Sequence, residues 1–193
     1  MKQRFLLIGI AVTAILIAAG IYAYLTVSNG QVHGVAFTPP QQAPEITLTD
    51  QTNRSFKLSA EKGKIVLLFF GYTNCPDECP LTMAKLKQAI TQLNVASDQV
   101  QVVMVTTDPT RDDPKTLGAF VSKFDPHFVG LTGTKDELQK VWDSYSVVVE
   151  DGGETHTAFV YLIDKKGFIQ TIYPLDMQAE DIAHDVRIFL KRE

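Results

Sequence analysis

Cys75 and Cys79 are the only thiols in the chain, and both lie in Gly71-Tyr-Thr-Asn-Cys75-Pro-Asp-Glu-Cys79-Pro80. Three residues between them keep the sulfurs near enough to pair as a disulfide or to meet on one metal ion. Thiol–disulfide oxidoreductases use a spacing of two, so the loop here differs from theirs. The segment follows a short, solidly apolar run ending at Phe70 and precedes Met83, Leu86, Ile90 and Leu93, which recur at helical spacing. The cysteines therefore fall where a strand gives way to a helix. At a helix N-terminus, outward N–H groups and the positive end of the macrodipole favour thiolate, the form that attacks disulfides and binds metals. Pro80 suits the first helical turn, where its missing N–H is no loss. The bland alternatives are a structural disulfide or two small core thiols. A disulfide closing so short a loop gains little entropy.

Two thiolates leave a metal ion under-coordinated, which directs attention to the four histidines. His33 lies in a polar, Gly- and Pro-containing stretch, His127 in a loop, and His184 beside Asp181 and Asp185 in a terminal helix. These three read as solvated side chains without a metal role. His156 follows Glu150-Asp-Gly-Gly-Glu154 and stands at the entry to an apolar strand. In a thioredoxin-like layout that loop abuts the cysteine turn, and on layout alone a ligand and a bystander both fit. Two thiolates and an imidazole form a soft set of low coordination number, suited to copper as Cu(I) or Cu(II). Zinc would accept the same donors with a water. Met83 belongs to the core stripe, and Asp77 and Glu78 read as solvated loop carboxylates. Asp108 ends the next strand on the same sheet edge, where it could support the site or cap the following helix; Asp112 reads as a cap of that helix.

The elements that must position these residues follow from apolar patterning. Ile46–Leu58 alternates around Asp50-Gln-Thr-Asn53, the pattern of a hairpin. The run 64–70 and Val100–Val105 read as strands buried on both faces. Helices are expected over 83–93, 114–124, from Thr134 to Tyr145 and over 177–190, with a brief strand at 128–131. Thr134 and Glu137 carry the signature of a capping box. Thr157–Asp164 and Phe168–Tyr173 form a second hairpin around Lys165-Lys-Gly167. The order is α/β, a three-layer sandwich with the plan of a thioredoxin-like fold carrying an extra N-terminal β-hairpin.

Charge and hydropathy set the frame. The chain has 193 residues and a net charge of −4. Its two basic residues before Glu45, Lys2 and Arg4, leave the remainder more acidic still, without a basic patch, so nucleic-acid binding is excluded as a function class. Phe5–Leu25 is nearly continuous apolar sequence, long enough as a helix to match the ~30 Å bilayer core. Lys2 and Arg4 orient it with the N-terminus inside. A cleaved signal peptide is the competing reading, although the apolar stretch exceeds the roughly 7–15 residues usual for one. Either way the rest lies outside the cytoplasm. The expected organisation is a single-pass anchor in the cell membrane over 1–27, a tether over 28–44 and one domain over 45–193.

The blocks Thr49-Asp50-Gln51, Val66–Pro80 with Gly71-Tyr-Thr-Asn-Cys75-Pro-Asp-Glu-Cys79-Pro80, Thr107–Pro114, and His156 followed by Tyr161-Leu-Ile-Asp164 make the chain resemble the Sco/SenC family over nearly its whole length. The resemblance implies copper held by Cys75, Cys79 and His156, in the service of the dinuclear copper centre of cytochrome c oxidase subunit II. It implies a copper metallochaperone, with a thiol–disulfide oxidoreductase that reduces the recipient's cysteines as the alternative, and a link to redox signalling in some members. Asn74 stands where many members have His, and Thr155 where many have Asp; neither departure removes a ligand.

Overall fold

In the computed structural model, which describes residues 13–20, 31–93, 98–150, 153–157 and 159–192, the apolar run becomes strand β4 (Ile65–Gly71), buried at every position. Ile65, Leu67 and Phe69 point into one core with helices α1 (Glu78–Leu93) and α4 (Ala179–Lys191). Val66, Leu68 and Phe70 point into another, with α3 (Lys135–Ser144) and the hairpin β2 (Thr47–Asp50)–β3 (Ser55–Lys57). A strand covered on both faces has no place for a polar residue, which is why the run is continuous rather than alternating. Each of its large side chains contributes roughly 1.5–3 kcal/mol by burial.

Strands β5 (Val100–Thr106) and β6 (Val129–Thr132) continue the sheet parallel to β4, joined through α1 and through α2 (Pro114–Val121). Strands β9 (Phe159–Ile163) and β10 (Phe168–Pro174) add antiparallel on the other side of β4. With β1 (Val35–Gln42) the order is β1-β10-β9-β4-β5-β6-β2-β3. The result is a mixed eight-stranded sheet between helical layers, the expected thioredoxin-like α/β sandwich. The hairpin β2–β3 turns at Asp50–Asn53, where Asn53 takes a left-handed φ of 61° and Asp50 accepts from the N–H groups of Thr52 and Arg54. The capping box at Thr134 and Glu137 forms in both directions.

Three expectations change. The stretch 28–44, read as a tether, supplies β1, which pairs antiparallel with β10 from Val35↔Ile172 to Gln42↔Phe168. Its register is irregular between Ala36 and Gln41, the interval that holds Pro39 and Pro40, and prolines lacking a donor are compatible only with an edge. The strand expected over 157–164 begins at Phe159, and before it β7 (Val149–Glu150) and β8 (Thr155–His156) form a separate two-stranded ladder. The helix expected over 114–124 ends at Val121.

The chain divides into two compact units, Met1–Gln31 and Val32–Glu193. In the first, residues 13–20 are helical with exposed side chains. The rest of the expected span over Phe5–Leu25 lies outside the described residues. Among the described residues no helix is long and apolar enough to cross a membrane.

Candidate metal centre

The cysteine turn leaves the carboxyl end of β4, the side on which open α/β sheets place their sites. Gly71 makes the first tight approach: a Cβ there would lie 2.9 Å from the Cys79 sulfur and 2.6 Å from the Phe69 ring. Cys79 enters α1 fully buried, while Cys75 is partly exposed, and both are free thiols. The Cys79 N–H donates to the Cys75 sulfur at 3.4 Å. Burial pushes the Cys75 thiol up, but the N–H groups of Cys79, Asp77 and Glu78 and the Cys79 thiol more than offset this, so it lies below the ordinary cysteine value. The Glu78 and Cys79 N–H groups are the first of α1 and the Asp77 N–H immediately precedes them, as the helix-start position requires. Cys79 is pushed strongly upward, chiefly by burial, with the charges of Cys75 and Asp112 adding to it. One turn of chain thus carries an accessible, acidic thiol and a sequestered, reluctant one.

Asp112 fixes this turn from below. Fully buried, it accepts from the Thr73 N–H at 3.0 Å, from the Thr73 hydroxyl, and from the Thr106 hydroxyl at 2.6 Å. It does not cap α2 as expected. Asp113 does, accepting from the Thr116 N–H at 2.6 Å. Adjacent aspartates are equally good caps by type, and the chain turns the first inward to satisfy the cysteine loop.

His156 stands on β8, opposite Val149. Its Nδ1 lies 3.2 Å from the Thr157 carbonyl, and its ring meets Tyr72 edge to face with centroids 5.9 Å apart. Burial pulls its pKa below the usual histidine value, with the Thr157 carbonyl opposing, so the neutral imidazole that metals bind is favoured. Burial and the neighbouring Cys75 sulfur push the Tyr72 hydroxyl up to about 12.

Two contacts clamp the His156 segment to the end of β5. The Thr107 hydroxyl donates to the Gly153 carbonyl at 3.0 Å. Gly153 has φ +106°, and a Cβ there would sit 2.2 Å from the Thr107 carbonyl oxygen, so only glycine fits. Arg111 pairs with buried Asp108 through Nε, with Glu154 at 2.9 Å, and lies over the Tyr72 ring at 5.9 Å. Asp108 does not itself line the site; its carboxylate connects to the cleft through Arg111, and its N–H donates to the Thr106 hydroxyl that bonds Asp112. Burial raises its pKa, but hydrogen bonds from Thr110 and Arg111 hold it below the ordinary value.

Cys75, Cys79 and His156 line one cleft of about 420 Å³ with Tyr72, Asp77, Glu78, Glu154 and Thr155. The three expected donors share this cleft without closing on a point. Among the described residues the only three-donor group within 4.8 Å is His33, His184 and Asp185. Met83 is fully buried in the core, and exposed His127 pairs with Asp125. Tyr72, Arg111, Gly153 and Glu154 escaped the sequence reading. Arg111 and Tyr72 sit inside blocks that marked the family, but no periodicity reports contacts between loops.

A family model described as SCO1/SenC matches residues 37–191. A SCO2-like protein of Rickettsia prowazekii is 33% identical over 144 residues, covering 70% of each chain. The solved structure of Bradyrhizobium japonicum ScoI with copper bound is 34% identical, with a TM-score of 0.70 over 77% of this chain and 99% of that one. Yeast Sco1 with copper bound is 28% identical, with a TM-score of 0.70 over 80% of this chain and 91% of that one.

Proposed function

The chain belongs to the SCO1/SenC family, and from that premise we propose that it is a copper metallochaperone held at the cell membrane. Copper is its cargo. Cys75 and Cys79 hold the ion as thiolates and His156 completes the set. The observation that carries this reading is that the two sulfurs and the imidazole line one cleft, in a chain similar to proteins solved with copper bound. The donors fit the ion. Two thiolates neutralise Cu(II) and leave Cu(I) one negative charge in excess, and a neutral imidazole adds no charge to either. Cys75, accessible and ionised more readily than Cys79, is the sulfur from which an acceptor's ligand takes over.

The apolar run Phe5–Leu25 behind Lys2 and Arg4 supports a single-pass anchor, N-terminus inside, with the cleft outside the cytoplasm. The acceptor that suits the family's role is subunit II of cytochrome c oxidase or a similar copper protein. Titration of the reduced full chain with Cu(I) and Cu(II) tests the site. His156→Ala is expected to lower affinity and change the visible spectrum of the Cu(II) form, and an unchanged affinity and spectrum would exclude the three-donor arrangement.

The contrast between the two thiols supports a second reading, thiol–disulfide exchange. The Cys75 thiolate attacks a partner's disulfide, forming a mixed disulfide and releasing one partner thiolate. Cys79 then gives up its proton and displaces the second, leaving Cys75 and Cys79 oxidised and the partner reduced by two electrons. Reductase activity that survives His156→Ala but not Cys75→Ser would favour it.

A further inference from the structure

The sheet edge opposite the hairpin β2–β3 carries a second set of donors. His33 and His184 stack with ring centroids 4.1 Å apart and planes 15° from parallel. The His33 Nδ1 lies 2.6 Å from Asp181, and the His184 Nδ1 lies 3.0 Å from Asp185. A ring nitrogen of each histidine and a carboxylate oxygen of Asp185 fall within 4.8 Å of one another.

Charge supplies an independent pointer. Asp185 is fully buried and accepts from the N–H groups of His33 and Gly34 and from the Tyr173 hydroxyl, all neutral donors. Among the described residues no Lys or Arg pairs with Asp185 or Asp181; their ion-pair partners are these two histidines alone. A buried carboxylate without a counter-ion is costly. Balancing both Asp181 and Asp185 takes two positive charges; one imidazolium gives only one, and two stacked at 4.1 Å would repel, so protons on the rings are a poor source of that charge. One divalent ion supplies it without that repulsion.

We propose that His33, His184 and Asp185 form a second metal site, for a divalent transition metal of the zinc class, with Asp181 orienting His33. Two imidazoles and a carboxylate are harder than the thiolate cleft and suit Zn(II) or its neighbours rather than Cu(I). Face-to-face rings aim their lone pairs along nearly parallel planes, so capture of one ion requires one ring to turn. His33, 47% exposed, has the room. The bound ion would fasten the chain just ahead of β1 to α4.

The test uses the full chain in detergent with Cys75→Ser, Cys79→Ser and His156→Ala, so that the cleft does not compete. Zn2+ is titrated against a chromophoric chelator. One equivalent is expected to bind, with His33→Asn or His184→Asn each weakening it about tenfold or more. At a Zn2+ concentration that just saturates the parent, the Tm should rise clearly more in the parent than in either Asn variant. In the unsubstituted chain the same variants should remove one of two zinc equivalents while copper binding at the cleft persists, so failure here and failure of the copper reading are separable. No zinc bound, or equal affinity in parent and Asn variants, would overturn the site.

Discussion

Two chemically identical side chains, Cys75 and Cys79, are made unlike by where the helix begins. Iodoacetamide at neutral pH is expected to alkylate Cys75 well before Cys79, because Cys75 is the more exposed and the more readily ionised. Peptide mass mapping at partial modification reads the order, and the reverse order would contradict the assignment. Gly71 works by absence. Its missing Cβ leaves room for the Cys79 sulfur and the Phe69 ring, so Gly71→Ala should destabilise the domain by about 1–3 kcal/mol in urea unfolding, and a neutral result would show that the turn can relax. At this scale the sequence was legible by residue type: the thiols, their place at a helix start and the strand-entry histidine were all readable. Asp112 was not, since only the fold decides which of two neighbouring aspartates faces inward.

Between elements, the cleft depends on how the β7–β8 segment is held against the end of β5. Arg111, bridging Asp108 and Glu154, and Thr107, reaching Gly153, are the two fasteners. Arg111→Ala is expected to raise amide hydrogen exchange across 153–157 while leaving α1 protected. Unchanged exchange there would show that Thr107 and Gly153 suffice. The long elements were legible because each has a dominant period or run: continuous apolar for β4, helical spacing for α1, a capping signature for α3. Strands β7 and β8, two residues each, are too short to carry any period. Strand β1 was hidden for another reason. It buries almost nothing, contains two prolines, and exists because β10 offers it an edge.

Across the whole domain, acid sensitivity should come from carboxylates whose pKa is held down in the fold. Burial pushes both Asp108 and Asp125 up, but hydrogen bonds from Thr110 and Arg111 to one, and from Lys87 and His127 to the other, outweigh it and leave both below the ordinary 3.8. The unfolded chain therefore takes up these protons first as pH falls. Their stabilisation is complete above the ordinary value and is lost as pH drops through the folded one. Urea midpoints followed downward from neutral pH should fall in that window, and Asp125→Asn should flatten part of the decline; an identical profile in the variant would remove Asp125 from the account. The layer order was legible at this scale because parallel strands joined by helices admit few arrangements, whereas the ends of the sheet were not. Those ends carry a consequence of their own. One is closed by β3, three residues long and finishing in Lys57, and the other by β1, whose prolines withhold two amide hydrogens. Neither border gives a second molecule a flat, unbroken ladder to add to, so crowded copies of this domain should resist growing into fibres by their rims.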